Sequence, residues 1–208
     1  MNGEIWTGSG TTTKKTFPEL SEITYENSKN ITSSDNCPPE NITSCVMKVS
    51  YGNFDFFAGG DLQYNGRSSH AWKDAELPCA KAVGQVELLK ANHHGVTNTN
   101  QVDALKALNP QTIVVNSWVD CHPRTDILNS METTLPACDM FITNFWQGDR
   151  PSGVDDRVTA EEAAREKGYD GHIVVRVTDG GNKYRVVTIT DSDGAMTVKT
   201  ISGPYTSR

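Results

Sequence analysis

The chain is short of several things, and each shortage excludes something. No run approaches the roughly 18 apolar residues of a membrane span, and nothing after Met1 has the character of a secretory leader. There is no basic excess: 19 Lys and Arg stand against 26 Asp and Glu, for a formal net charge of −7. That argues against a dedicated nucleic-acid binder, which usually carries a basic stripe. It leaves room for an enzyme that grips phosphates through metal ions. The five cysteines (Cys37, Cys45, Cys79, Cys121 and Cys138) are odd in number and lack any CxxC spacing. That spacing argues against a zinc ribbon, at most two disulfides are open to the chain, and the thiols read better as small packed hydrophobes than as a small structural zinc site of Cys79, Cys121 and Cys138 with His122. No internal repeat is visible, and no histidine precedes His70.

What remains is a globular chain of 208 residues, enough for one domain with a sizeable core. Residues 1–44 are rich in Thr, Ser, Asn and Glu, broken by Cys37-Pro38-Pro39, and read as an irregular lead-in with a short strand near Glu4–Thr7. Asn30-Ile31-Thr32 and Asn41-Ile42-Thr43 match the glycosylation pattern, a slight lean toward an extracytoplasmic compartment. From Cys45 the pattern tightens. Cys45–Tyr51 alternates as a half-buried strand, Gly52-Asn53 turns, and Phe54–Ala58 returns as its hairpin partner. Helices are expected over Trp72–Val83, Asn100–Leu108 (ended by Asn109-Pro110) and Thr125–Thr133. Strands are expected at Val86–Ala91, Thr112–Trp118 and Met140–Thr143.

This alternation predicts an α/β layered fold with largely parallel central strands. Residues 147–171 read as an insertion, with Thr159 and Glu162 spaced as a capping box at the head of a helix running to about Lys167. The tail then turns to β, with His172–Val177, Tyr184–Thr190 and Ala195–Ile201 separated as in a meander.

Three apolar strands each run into a metal-capable residue. Phe54–Ala58 leads to Gly59-Gly60-Asp61, Val86–Ala91 to Asn92-His93-His94-Gly95, and Thr112–Trp118 to Asp120-Cys121-His122-Pro123. Ligand sites of open α/β sheets gather beyond the carboxyl ends of the strands. Alone, GGD is as good a turn as a site. A lone His-Pro reads better as a buried or capping histidine. Adjacent imidazoles on a loop are harder to explain by packing, because each has a polar nitrogen that needs a partner. Together, a carboxylate and imidazoles at successive strand ends form the donor set of a catalytic zinc site.

In order and spacing, Asn41-x-x-Ser44, FDFFAGGD, LLKANHHG, Leu108-Asn109-Pro110 and His122-Pro123 resemble the metallo-β-lactamase superfamily over about residues 41–145. The similarity is greatest to the hydrolase domain of competence-type DNA-uptake proteins and their stand-alone relatives. The resemblance implies the C-terminal half of an αββα sandwich, with a mixed sheet and a C-terminal β-meander over residues 45–208. It implies two zinc ions in the complete enzyme, with manganese as the alternative, and hydrolysis of a small-molecule or nucleic-acid phosphoester by a metal-activated water. Asp61 would bridge the metals and one of His93 and His94 would be a terminal ligand, the other standing behind it or on the substrate. His122 would line the site and steady a leaving oxygen or phosphate, and Asn41 and Ser44 would shape the pocket floor.

The departures are as informative. The superfamily's first metal motif, H-x-H-x-D-H, is absent, and the Ser that follows H-H-G is replaced by Val96. The expectation is therefore half a site, with the other half of the fold encoded upstream, little or no metal held by this chain alone, and no activity in isolation. The rival expectation is a non-catalytic binding or interaction domain on the same scaffold that has lost its metals.

Overall fold

The computed structural model describes residues 2–6, 12–16, 40–64, 74–117, 122–145, 158–190, 192 and 194–208. The expectations placed on Cys37–Pro39, Trp72, Trp118, Cys121 and residues 147–157 lie outside them. An antiparallel hairpin, β1 (Asn2–Trp6) with β2 (Thr12–Thr16), stands where a single strand at Glu4–Thr7 was expected.

The rest is α/β. A mixed six-stranded sheet contains, in order, β3 (Met47–Tyr51), β4 (Phe54–Ala58), β5 (Leu88–Lys90), β6 (Thr112–Val115), β7 (Asp139–Ile142) and β8 (Gly168–Tyr169). Only β3 runs antiparallel to its neighbour; β4 to β8 are parallel. Between these strands lie α1 (Glu76–Val83), α2 (Val102–Leu108), α3 (Thr125–Thr134) and the single turn α4 (Ala160–Ala163). The last is headed by the expected capping box. Thr159 N donates to Glu162 Oε2 at 2.7 Å and Glu162 N to Thr159 Oγ1 at 3.2 Å. It stops at Ala163 instead of continuing to Lys167, and the chain rejoins the sheet as β8.

Each parallel strand is laid on the same side of the one before it. Right-handed crossovers then put every connecting helix on one face. The core records this. Phe57, Leu89, Ile113, Val115, Met140 and Ile142 point toward the helices and meet Cys79, Ala80, Ala104, Leu105, Leu108, Leu128 and Met131. Those helical residues recur at three- and four-residue spacings, the buried stripe of an amphipathic helix. Cys79 packs there as an apolar group, burial pushing its thiol up to about 12.

The alternate strand residues, Leu88, Val114 and Phe141, face the other way. They are covered by a three-stranded antiparallel meander of β9 (His172–Thr178), β10 (Lys183–Thr190) and β11 (Thr197–Thr206), ordered β11-β10-β9. Tyr184 is the centre of this second core, edge-on to Phe54 at 5.0 Å, stacked on Tyr205 at 4.9 Å, and donating its hydroxyl to Glu87 O at 3.2 Å. At the amino end of the parallel strands the β3–β4 turn touches the β9–β10 turn so closely that a Cβ on Gly181 (φ +93°) would sit 1.8 Å from Tyr51 O.

Three strands do not cover six. Val49 pairs with Phe56 and Tyr51 with Phe54, so they share the inner face of the large sheet with the second core. Yet Met47, Val49 and Tyr51 are 54%, 51% and 57% exposed. A cleft of about 330 Å³ continues inward from this bare stripe, between Phe54, Phe56, Leu88 and Val114 below and Ile173, Val175 and Val177 of β9 above. Among the described residues no strand pairs with the outer edge of β9. Among the described residues, too, no helix is long and apolar enough to cross a membrane.

Two substitutions measure the contrast between the covered and the bare faces. Ile113→Ala, at a wholly buried position in the central strand, is expected to cost about 2–5 kcal/mol in a urea titration. Val49→Ala is expected to stay within about 0.5 kcal/mol of the parent.

Candidate metal centre

The parallel strands end together, and the loops that leave β4, β5 and β6 meet. Asn41 and Ser44, just before β3, reach the same place from a short 3-10 turn, Glu40–Thr43. Ser44 Oγ accepts the backbone N–H of Asp61 at 3.0 Å. Asn41 Nδ2 lies 3.2 Å from Gln63 Oε1 and 3.3 Å from His93 Nδ1. The N-x-x-S pair therefore fastens both of the other loops, one through Asp61 and one through His93.

Asn92–Gly95 forms a 3-10 turn of unusual backbone. His93 (φ 42°, ψ 48°) and His94 (φ 55°, ψ 17°) are both left-handed. Such conformations cost a non-glycine residue on the order of 1–3 kcal/mol each and persist only where the surroundings over-determine them. Here they are over-determined. His93 N donates to Gly60 O at 3.1 Å, and Arg124 N donates to Gly95 O at 3.1 Å, tying the turn to the loop of His122. Gly95 has φ +74°, and a Cβ there would stand 3.1 Å from Pro123 Cβ, so the close passage of the two loops requires glycine.

All the residues singled out in the sequence come together. The imidazole centroids of His93, His94 and His122 lie 5.2–6.0 Å apart, with His94 and His122 stacked at 14°. His94 Nε2 is 3.6 Å from Asp61 Oδ1. His94 Nδ1 is 2.5 Å from Asn116 O. A carbonyl only accepts, so Nδ1 carries the proton and Nε2 a lone pair whenever the ring is neutral. Asn41 Nδ2 only donates, so His93 is the opposite tautomer, with its proton on Nε2. The sequence left open which of the two histidines would be the ligand; their partners make His94 a lone-pair donor and His93 a hydrogen-bond donor.

Lys90, the polar end of β5, donates to Gly60 O at 2.8 Å and stands 3.8 Å from Asp61 Oδ1. Burial lowers its ammonium pKa while the Asp61 charge opposes that shift. Desolvation also lowers His93, against the pull of Asp61 and with the help of His94 and Lys90.

Sequence reasoning missed a second set of polar groups beneath the histidine turn: Glu76, Asn100 and Gln101. Glu76 is buried in the first turn of α1 and accepts from Asn92, Asn100 and Gln101. Burial pushes its carboxyl up to about 7, although these three donors pull it down. An acid in the first helical turn usually reads as solvated and paired with the helix dipole. The available signal was its setting, Ala75-Glu76-Leu77-Pro78-Cys79-Ala80, which is otherwise apolar.

Among the described residues no group of three or more His, Cys, Asp or Glu is already arranged to hold a metal ion. The donor chemistry of Asp61 and His94 does fit one. Two donors on one tetrahedral zinc are about 3.4 Å apart at ordinary bond lengths, and theirs are separated by 3.6 Å. No family model matches the chain, and no curated protein matches it.

The tautomer and charge assignments have a spectroscopic consequence. His93 is expected to titrate below the usual 6.5 by NMR, and Asp61→Asn, which removes the opposing negative charge, is expected to lower its midpoint further. Because the folded pKa is depressed, neutral His93 contributes stability above the unfolded value near 6.5 that is lost as pH falls through that value toward the folded one.

Proposed function

We propose that this chain is the C-terminal half of a metallo-β-lactamase-like metal hydrolase acting on a phosphoester, with Asp61 and His94 as its metal ligands. One observation carries the reading. Asp61 Oδ1 and the lone pair of His94 Nε2 converge across 3.6 Å, too far for a hydrogen bond. With neutral His94 no proton is shared between them. Two acceptors held face to face by separate loops leave a place for a cation.

A bound zinc would supply Lewis-acid activation of a water and neutralise charge at a phosphoryl group. The chain's own residues do the rest. Asn116 O fixes the His94 tautomer, as outer partners of metal-binding histidines do. Asn41 turns the Nε2–H of His93 into a donor for an anionic substrate oxygen. Lys90 adds positive charge beside Asp61, and His122, stacked on His94, lines the approach and steadies a departing oxygen.

The bare inner face of β3 and β4 and the open edge of β9 support the same reading. They are the surface that a complementary half, expected upstream, would cover, and Asp61 sits at their upper end. The rival reading, a binding domain that has lost its metals, is favoured by the lack of any preformed three-ligand group among the described residues.

Calorimetry separates the two. The chain alone is expected to bind at most one zinc ion, weakly, and to lose it in Asp61→Asn and in His94→Ala. Tight uptake of two ions would overturn the half-site, and binding that survives both substitutions would overturn the ligand assignment.

A further inference from the structure

We infer that Glu76 is a positioning residue for His93 and His94, because its buried carboxylate closes both ends of the loop that carries them. The role of that loop in holding a cation rests on the reading above; its geometry does not.

The loop leaves the sheet at Asn92 and reaches α2 at Asn100 and Gln101. Its two ends are joined directly, Asn92 N donating to Asn100 Oδ1 at 2.9 Å and Asn100 Nδ2 to Asn92 O at 3.0 Å. Glu76 then grips both. Oε1 accepts Asn92 Nδ2 at 2.8 Å and Asn100 N at 2.5 Å, and Oε2 accepts Gln101 N at 2.8 Å. The side chain is 1% exposed, and among the described residues these partners are all N–H groups of neutral residues. A carboxylate so buried without a cation is a costly way to pack a helix. It is well suited to three convergent donors that need two acceptor atoms. Glutamine offers only one oxygen and would turn an N–H against an N–H.

The connection to the histidines is one peptide long. Asn92 immediately precedes His93, and its backbone N–H and C=O are both held by Asn100. Two consecutive left-handed residues then have a fixed frame from which to depart, and the imidazoles emerge toward Asn41 and Asn116. Released from that frame, the turn would relax toward unstrained backbone, and the lone pair of His94 would no longer be aimed at Asp61.

The test uses the full chain at pH 8 and reads the tautomers of the two imidazoles by long-range proton–nitrogen NMR. It also follows amide exchange at Val96, whose N–H bonds to His93 O. The parent should show His94 protonated on Nδ1. Glu76→Gln should mix its tautomers and speed Val96 exchange at least about tenfold. Val186→Ala, a wholly buried change in the other core, should lower stability and leave both signals alone. Asn92→Ala covers the case in which Glu76→Gln does not fold. It removes the Nδ2–H that Glu76 Oε1 accepts at the histidine end of the loop and keeps the Asn92 backbone N–H and C=O that Asn100 holds. It should give the same loosened signature.

A fixed His94 tautomer and protected Val96 amide in the folded Glu76→Gln protein, or in Asn92→Ala, would overturn the inference. A parallel cobalt titration keeps the two ideas apart. Failure of the parent chain to bind cobalt would count against the metal reading and leave the imidazole result standing. Cobalt binding with unmoved imidazoles would sink the role of Glu76 alone.

Discussion

Everything in this fold follows from the one-directional growth of its parallel sheet. Strands added always on the same side, through crossovers of one hand, send all the helices to one face and all the strand ends to one rim. The rim carries the candidate site. The face without helices becomes a problem, since Phe54, Leu88, Val114 and Phe141 still need cover. The meander of β9 to β11 answers it over part of the sheet, and the stripe of Met47, Val49 and Tyr51 is what it leaves.

The rim is held by polar groups, and each contact there has a counterpart below. Ser44 and Lys90 fix the Asp61 loop from two directions. Asn41 and Asn116 orient one imidazole each. Glu76 and Asn100 support the turn on which both are mounted. Backbone strain at His93 and His94 is tolerated because these contacts leave the turn few alternatives. The two histidines are adjacent in sequence and opposite in tautomer because their acceptor and donor neighbours come from different elements.

Much of this was legible in the sequence because it depends on short-range pattern. The hairpin strand Phe54–Ala58 and the Thr159–Glu162 box are local features, and both appear as read. The convergence of Asp61, His93, His94 and His122 was legible for a different reason: residues that follow parallel strands share a rim whatever the details. The ends of elements were less so. The strand expected at Val86–Ala91 shortens to Leu88–Lys90 and that at Thr112–Trp118 to Thr112–Val115, because ladder pairing stops earlier than hydrophobicity does. The two residues of β8 carry no pattern at all. Glu76 was hidden because its significance lies in three donors that come from another segment some 16 to 25 positions away.

The uncovered stripe on β3 bears on how the chain behaves in bulk. β3 lies at the rim of its sheet with an apolar flank turned to water, and such strands are templates for pairing with other copies. Loss of cover there need not unfold anything. The quantity most exposed to it is colloidal: the concentration at which native molecules stop staying apart, which a surface cap on that flank would raise without adding to the unfolding free energy.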